Sequence, residues 1–151
     1  MDVAQQVRDA RSASGLTQRA LAERCGIAQP HIARIESGKV VPTQATLEAL
    51  LQAARPPARD VLARHRDDIL AIVLRHRGTG RVQVFGSVAR GDDGPDSDID
   101  LLVEFEEGAD YFDLHAMQEE LASLVGRTVD VLSARGSGRA TRSAHQQAVP
   151  L

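Results

Sequence analysis

The chain has 151 residues, 42% of them hydrophobic, and a formal net charge of −3. That composition excludes a disordered chain and leaves room for one ordinary domain or two small ones. No apolar run reaches membrane-spanning length. The start, Met1-Asp2-Val3-Ala4-Gln5-Gln6, lacks the basic-then-apolar pattern of a secretory signal. The lone Cys25 cannot form an internal disulfide, so a reducing, cytoplasmic setting is expected, with no membrane partner. Charge is unevenly spread: residues 92–120 carry twelve acidic side chains and no Lys or Arg, whereas residues 61–91 carry six basic and two acidic ones.

Four helices are predicted over residues 1–54. Val3, Val7 and Ala10 mark the apolar face of the first. Thr17 is a suitable N-cap for a second helix that carries Ala20, Leu21 and Arg24 and ends at Cys25-Gly26. Cys25 reads as a small buried hydrophobe in that turn. A third helix spans about Ala28 to Glu36 with Ile32 and Ile35 inward, and Ser37-Gly38 ends it. Thr43 opens a fourth, whose Leu47, Leu50 and Leu51 complete a small core. Short helix, glycine turn and short helix form a helix-turn-helix. The stretch Leu16-Thr17-Gln18…Leu21-Ala22…Gly26-Ile27…Ile32-Ala33-Arg34-Ile35-Glu36-Ser37-Gly38-Lys39 resembles the lambda-repressor and Cro-like class. That resemblance implies that Gln29, Pro30, His31 and Arg34 face base edges of operator DNA, with Gln18 and Lys39 near phosphates. Arg34 suits guanine and Gln29 adenine, while Pro30 cannot read a base by hydrogen bonding. A homodimer on a palindromic site is the expected arrangement. A helix-turn-helix used only for protein contacts is the competing reading, because the segment's surplus of positive charge is small.

Arg55-Pro56-Pro57-Ala58-Arg59 breaks the helical pattern, and residues 55–60 read as a stiff linker. The second module is predicted over 61–135, with a glycine-containing tail at 136–151. A helix from about Asp60 to His76 places Leu62, Ile69, Ile72 and Val73 at helical spacing. Gly78-Thr79-Gly80 ends it and leads to a strand, Val82-Gln83-Val84-Phe85. A second strand runs from Asp98 to Val103, and a helix from about Tyr111 to Val125 buries Leu114, Met117, Leu121 and Leu124 before Gly126. A third strand holds Thr128-Val129-Asp130-Val131-Leu132, and Ala140 to Gln147 suits a last helix. The fold class is therefore α+β: an all-α helix-turn-helix domain, then a small α/β domain whose mixed sheet is backed by helices on one face.

The run from Gly86-Ser87 to Asp98-Ile99-Asp100 carries the chemistry. Gly86 falls at a strand end, where a missing Cβ lets backbone approach a phosphate, and Ser87 opens a helix. Alternation along a strand points Asp98 and Asp100 the same way. Two adjacent carboxylates repel unless a cation lies between them, and hard oxygen ligands suit Mg²⁺ bridged to phosphates. Gly-Ser, ten residues, then Asp-x-Asp, with Arg90-Gly91 and Ser97 alongside, resembles the minimal nucleotidyltransferases of the DNA polymerase β superfamily. Asp130 is the candidate third carboxylate that the superfamily places on a neighbouring strand. A strand-end Asp facing solvent is its competing reading.

The resemblance implies an Mg²⁺-dependent nucleotidyltransferase in which Asp98, Asp100 and Asp130 hold the metal. Gly86, Ser87 and Arg90 bind the triphosphate, a solvated Arg90 being the alternative, and Asp130 accepts a proton. It further implies ATP as substrate and an antitoxin role: transfer of AMP to a HEPN-type ribonuclease toxin, with the helix-turn-helix repressing the operon. A DNA-binding regulator with a non-catalytic nucleotidyltransferase fold, and an antitoxin acting purely by binding, are the alternatives. The histidines show no zinc-type spacing, and no Gly-x-x-x-x-Gly-Lys phosphate loop is present.

Overall fold

The protein, described over residues 2–151 by a computed structural model, divides into two compact units, 1–56 and 57–151. The first contains helices α1 (Val3–Ala13), α2 (Gln18–Cys25), α3 (Gln29–Glu36) and α4 (Gln44–Ala53). Thr17 and Thr43 cap α2 and α4 by accepting hydrogen bonds from the amides of Ala20 and Thr46. Each cap satisfies one of the amides a helix start leaves free. Gly26 adopts the left-handed conformation, φ +72°, that lets the chain turn out of α2 towards α3.

The apolar faces of the four helices meet on Val7, Leu21, Ile32, Ile35 and Leu50, all essentially buried. Leu47 and Cys25 pack against this cluster from its edge, while Leu51 is only half-buried and lies outside it. Fully burying an aliphatic side chain of this size contributes about 1.5–3 kcal/mol. These five contacts are therefore the main support of so small a unit.

The second unit runs α5 (Ala58–Arg64), α6 (Arg66–Arg75), β1 (Gly78–Phe85), α7 (Gly86–Arg90), β2 (Ile99–Phe105), α8 (Tyr111–Val125), β3 (Val129–Ser133), α9 (Arg139–Gln147) and β4 (Val149–Pro150). Its sheet has the order β3-β2-β1-β4, with β2 and β3 parallel and the other pairs antiparallel. Ile99, Leu101, Val103 and Phe105 of β2 pack with Val82 and Val84 of β1 against Ile69, Ile72 and Val73 of α6 and Met117 and Leu121 of α8. The opposite face carries Phe85, Asp100 and Asp130 in register, and α9 also contacts β1 and β2.

Five local features differ from the sequence expectation. The helix expected over 60–76 is broken at His65 (φ −106°, ψ 14°), which lets Leu62 and Ile69 both reach the core. Gly78 to Gly80 belong to β1, because Arg77 takes the left-handed region (φ 66°) and turns the chain early. A Cβ on Gly78 would press within 3.0 Å of Val73, so only glycine lets the strand start against α6. Asp98 precedes β2 instead of lying in it, and a fourth strand closes the sheet edge. Ala58, placed by composition in the linker, is fully buried in the second unit's core.

Candidate active site

The end of the sheet where β1 finishes and β2 and β3 begin gathers the predicted carboxylates. Phe85 pairs with Asp100, and Asp100 pairs with Asp130 across the parallel ladder. Neighbouring strands lie about 4.8 Å apart, so these two carboxylates are close neighbours on one face. Asp98, one residue before β2, is exposed, Asp100 is half-buried, and Asp130 is exposed at the strand surface. Burial pushes the Asp100 carboxyl above its ordinary value, and the charges of Asp130 and Asp98 push it further; Arg90 pulls the other way. The site is thus short of positive charge, as two or more acids on one face must be.

Gly86 sits against this group. Its φ of +70° lies in the left-handed region, and a Cβ there would fall well inside 3.0 Å of Asp100 Oδ2. Glycine is required on both counts. The chain then makes the single turn α7, which Gly91 ends at φ +78°. Ser87 is half-buried at its start, while exposed Arg90 at its end donates to Asp92 and, from α9, to Gln147 at 3.2 Å. Arg90 is therefore partly held in place and not simply solvated.

Among the described residues no three His, Cys, Asp or Glu side chains are already drawn together tightly enough to hold a metal ion. The donor set nevertheless fits a hard divalent cation. Three carboxylates gather at one end of the sheet, burial and the neighbouring charges of Asp130 and Asp98 disfavour the Asp100 anion, and substrate phosphates and water would complete the shell.

One structural residue escaped the sequence reading. Asp93, whose side chain is 0% exposed, accepts from the Arg59 amide at 3.0 Å and from its guanidinium at 3.2 Å. It pins the loop between α7 and β2 to the start of α5. A buried carboxylate needs such partners, but the pairing spans 34 residues and leaves no local signal.

In the first unit, Gln29, His31, Arg34 and Lys39 are all exposed along or just after α3, as is Pro30 in its first turn. Gln18 is different. Its amide donates to Glu36 at 2.8 Å and accepts from Gln29 at 2.9 Å. Glu36, only 3% exposed, also receives Arg11 through two bonds of 2.6 and 3.0 Å, and Arg8 bonds its carbonyl. Burial alone would push the Glu36 carboxyl up; the hydrogen bonds from Arg11 and Gln18 win, and it lies below the usual carboxylate range. These contacts tie α1 to the last residue of α3, and α2 to both its last and its first residue.

Comparison with known proteins agrees with this architecture. Residues 66–146 match the nucleotidyltransferase domain family and residues 2–64 a helix-turn-helix domain. A candidate protein adenylyltransferase of Methanocaldococcus jannaschii is 46% identical over 65 residues, which are 43% of this chain and 69% of that protein. The protein adenylyltransferase MntA of Thermococcus cleftensis is 42% identical over 60 residues, 39% of this chain and 61% of that protein. A solved structure of a candidate minimal nucleotidyltransferase is 42% identical, with a TM-score of 0.53, covering 61% of this chain and 94% of its own. The chain belongs to the nucleotidyltransferase domain family and is a nucleotidyltransferase with a helix-turn-helix at its N-terminal side.

Proposed function

We propose that this protein is an antitoxin that transfers AMP from ATP to a hydroxyl of a HEPN-type toxin and represses its own operon through the helix-turn-helix. The observation that carries the reading is Asp100, half-buried, its carboxyl raised by burial and by Asp130 and Asp98, with Gly86 pressed against it. A carboxylate face of this kind suits a hard cation and a triphosphate. The adenylyltransferase names of two relatives support the choice of AMP and of a protein acceptor.

Magnesium held by Asp98, Asp100 and Asp130 would neutralise the triphosphate and polarise the α-phosphate. Gly86 and Ser87 would hold the β- and γ-phosphates, and Arg90 would add a charged contact. Asp130, exposed on the ladder next to Asp100, accepts the proton of the attacking hydroxyl. The new bond joins that oxygen to the α-phosphorus, and pyrophosphate leaves with the electrons of the broken P–O bond. In the first unit, Gln29, His31 and Arg34 face the bases and Lys39 a phosphate. Gln18 fixes the orientation of Gln29 as well as lying near the backbone.

The test is intact-mass spectrometry of the product of the adjacent gene after incubation with this protein, ATP and Mg²⁺, in parallel with Asp98→Asn/Asp100→Asn. AMP addition with the wild type alone is expected. A silenced, unmodified partner would leave an antitoxin that acts by binding, and the absence of both modification and complex would leave a DNA-binding regulator.

A further inference from the structure

The chain holds only four aromatic residues besides histidine, three Phe and one Tyr. Two of them are spent on the surface side by side. Tyr111 and Phe112 are 73% and 79% exposed at the first turn of α8, with ring centroids 6.4 Å apart at a steep angle. Tyr111 also stacks on His115, 6.0 Å away and nearly parallel. Single exposed hydrophobes need no explanation, but adjacent large aromatics do, because each exposes an area that folding would otherwise bury. The helix does not need them there. Asp110 and Asp113 close a reciprocal capping box through the backbone, which fixes the turn whatever side chains follow.

A hollow of about 210 Å³ opens beside Tyr111, lined by Phe105, Ala109, Asp110, Leu114 and Ser133. Its lining mixes the apolar Phe105, Ala109 and Leu114 with the polar Asp110 and Ser133. Glu106 and Glu107, both exposed, directly follow the lining residue Phe105 and add negative charge nearby. The facing cation is Arg77, whose guanidinium donates to the carbonyls of Gly108 and Glu107 and lies 4.0 Å from Asp113. Arg135, just beyond Ser133, lies 3.9 Å from Glu104, so Arg77 alone is left against Glu106, Glu107, Asp110 and Asp113 and the surroundings stay acidic.

We infer that Tyr111, Phe112 and the acid-rimmed hollow beside them dock a basic segment of the protein that receives the adenylyl group. An Arg or Lys of that segment enters the hollow against the Tyr111 ring. Exposed aromatics flanking a pocket are the usual anchors of a protein interface, and an Arg or Lys over a Tyr face gains a cation–π contact that strengthens on desolvation. The charge decides the occupant: a ribonuclease that binds RNA phosphates presents basic surface, and this rim complements it. The patch follows the C-terminal end of β2 on the side that α8 covers, whereas Asp100 lies near its N-terminal end on the opposite face, more than about 17 Å away by the strand rise alone. A partner burying about 800 Å² per side spans that distance and reaches both. The inference rests on the proposed transfer to a protein.

The test uses the full chain and, as probe, the purified product of the adjacent gene. Binding is measured by calorimetry, and transfer by intact mass over a range of partner concentrations. Tyr111→Ser/Phe112→Ser is expected to weaken binding and to raise KM for the partner, leaving kcat at saturation unchanged. Glu106→Gln/Glu107→Gln is expected to slow association and to reduce its salt dependence. Asp98→Asn/Asp100→Asn should still bind. Transfer with an unaltered KM in the aromatic variant would overturn the docking site while leaving the enzymatic reading intact. Binding lost in that variant, with no AMP added by the wild type, would retain the docking site and overturn the transfer. If the unliganded chain sediments as a dimer that Tyr111→Ser/Phe112→Ser dissociates, the patch is a contact between copies and the inference falls.

Discussion

Alanine at position 86 imposes two separable costs. Gly86 holds φ at +70°, so any L side chain carries about 1–2 kcal/mol of left-handed strain. The new Cβ also collides with Asp100 Oδ2, and restoring van der Waals contact displaces that carboxylate by roughly 1 Å, which in an active site costs about 100-fold in rate. That factor corresponds to about 2.7 kcal/mol of transition-state stabilisation. Gly126→Ala supplies the control. It has a similar φ, +68°, with nothing within 4 Å of its Cβ, so it carries the strain without the collision. Thermal melts and single-turnover AMP transfer should therefore diverge. Both variants lose comparable melting temperature, about 4–8 °C per kcal/mol for a unit of this size. Only Gly86→Ala loses transfer. Equal activity in the two variants would refute the idea that this glycine exists to make room for Asp100.

Four further variants have outcomes set by the geometry. Arg11→Met leaves the buried Glu36 carboxylate without its main partner, and the first unit should lose about 3–5 kcal/mol in denaturant melts. Because the folded Glu36 carboxyl titrates below its ordinary range, its contribution is fully present above that range and is lost as pH falls through the folded value. Glu36→Gln should flatten that acid limb and be less stable than wild type at neutral pH. Asp93→Ala removes the acceptor for the Arg59 amide and guanidinium, and urea unfolding of the second unit should show a loss of about 1–3 kcal/mol. Asp100→Asn should abolish transfer without lowering the melting temperature in EDTA, since it removes a charge that burial, Asp130 and Asp98 already disfavour.

What was legible in the sequence was local. Thr17 and Thr43 announce helix starts, Gly26 and Gly126 announce stops, and the alternation of β2 places Asp100 opposite the core. Asp130 stands out as a polar residue in a β-branched run, and it is exposed beside Asp100 on the ladder. What was hidden depends on distant partners. Arg11 and Glu36 are 25 residues apart, and Arg90 and Gln147 are 57 apart. No window of periodicity spans such gaps. The resemblance places Gln18 near a phosphate, but its bonds with Glu36 and Gln29 are illegible in sequence, because they need Glu36 to be buried and a glutamate at a helix end ordinarily reads as solvent-facing. The two-residue strand β4 is too short to alternate, and it forms only because β1 has an open edge to receive it.

The link from Arg90 to Gln147 bears on how small a working catalytic fragment can be made. A fragment of residues 61–135 would retain Asp98, Asp100, Asp130, Gly86 and Ser87, and so every group in the sequence motif. It would also discard α9, whose Thr141 and Ala144 are buried in the unit, together with the amide that steadies Arg90 and the strand that covers the β1 edge. Such a fragment would expose an unpaired sheet edge, a common route to aggregation. Miniaturisation of this enzyme should therefore trim elsewhere, and library designs that randomise 139–150 should be scored for solubility before they are scored for turnover.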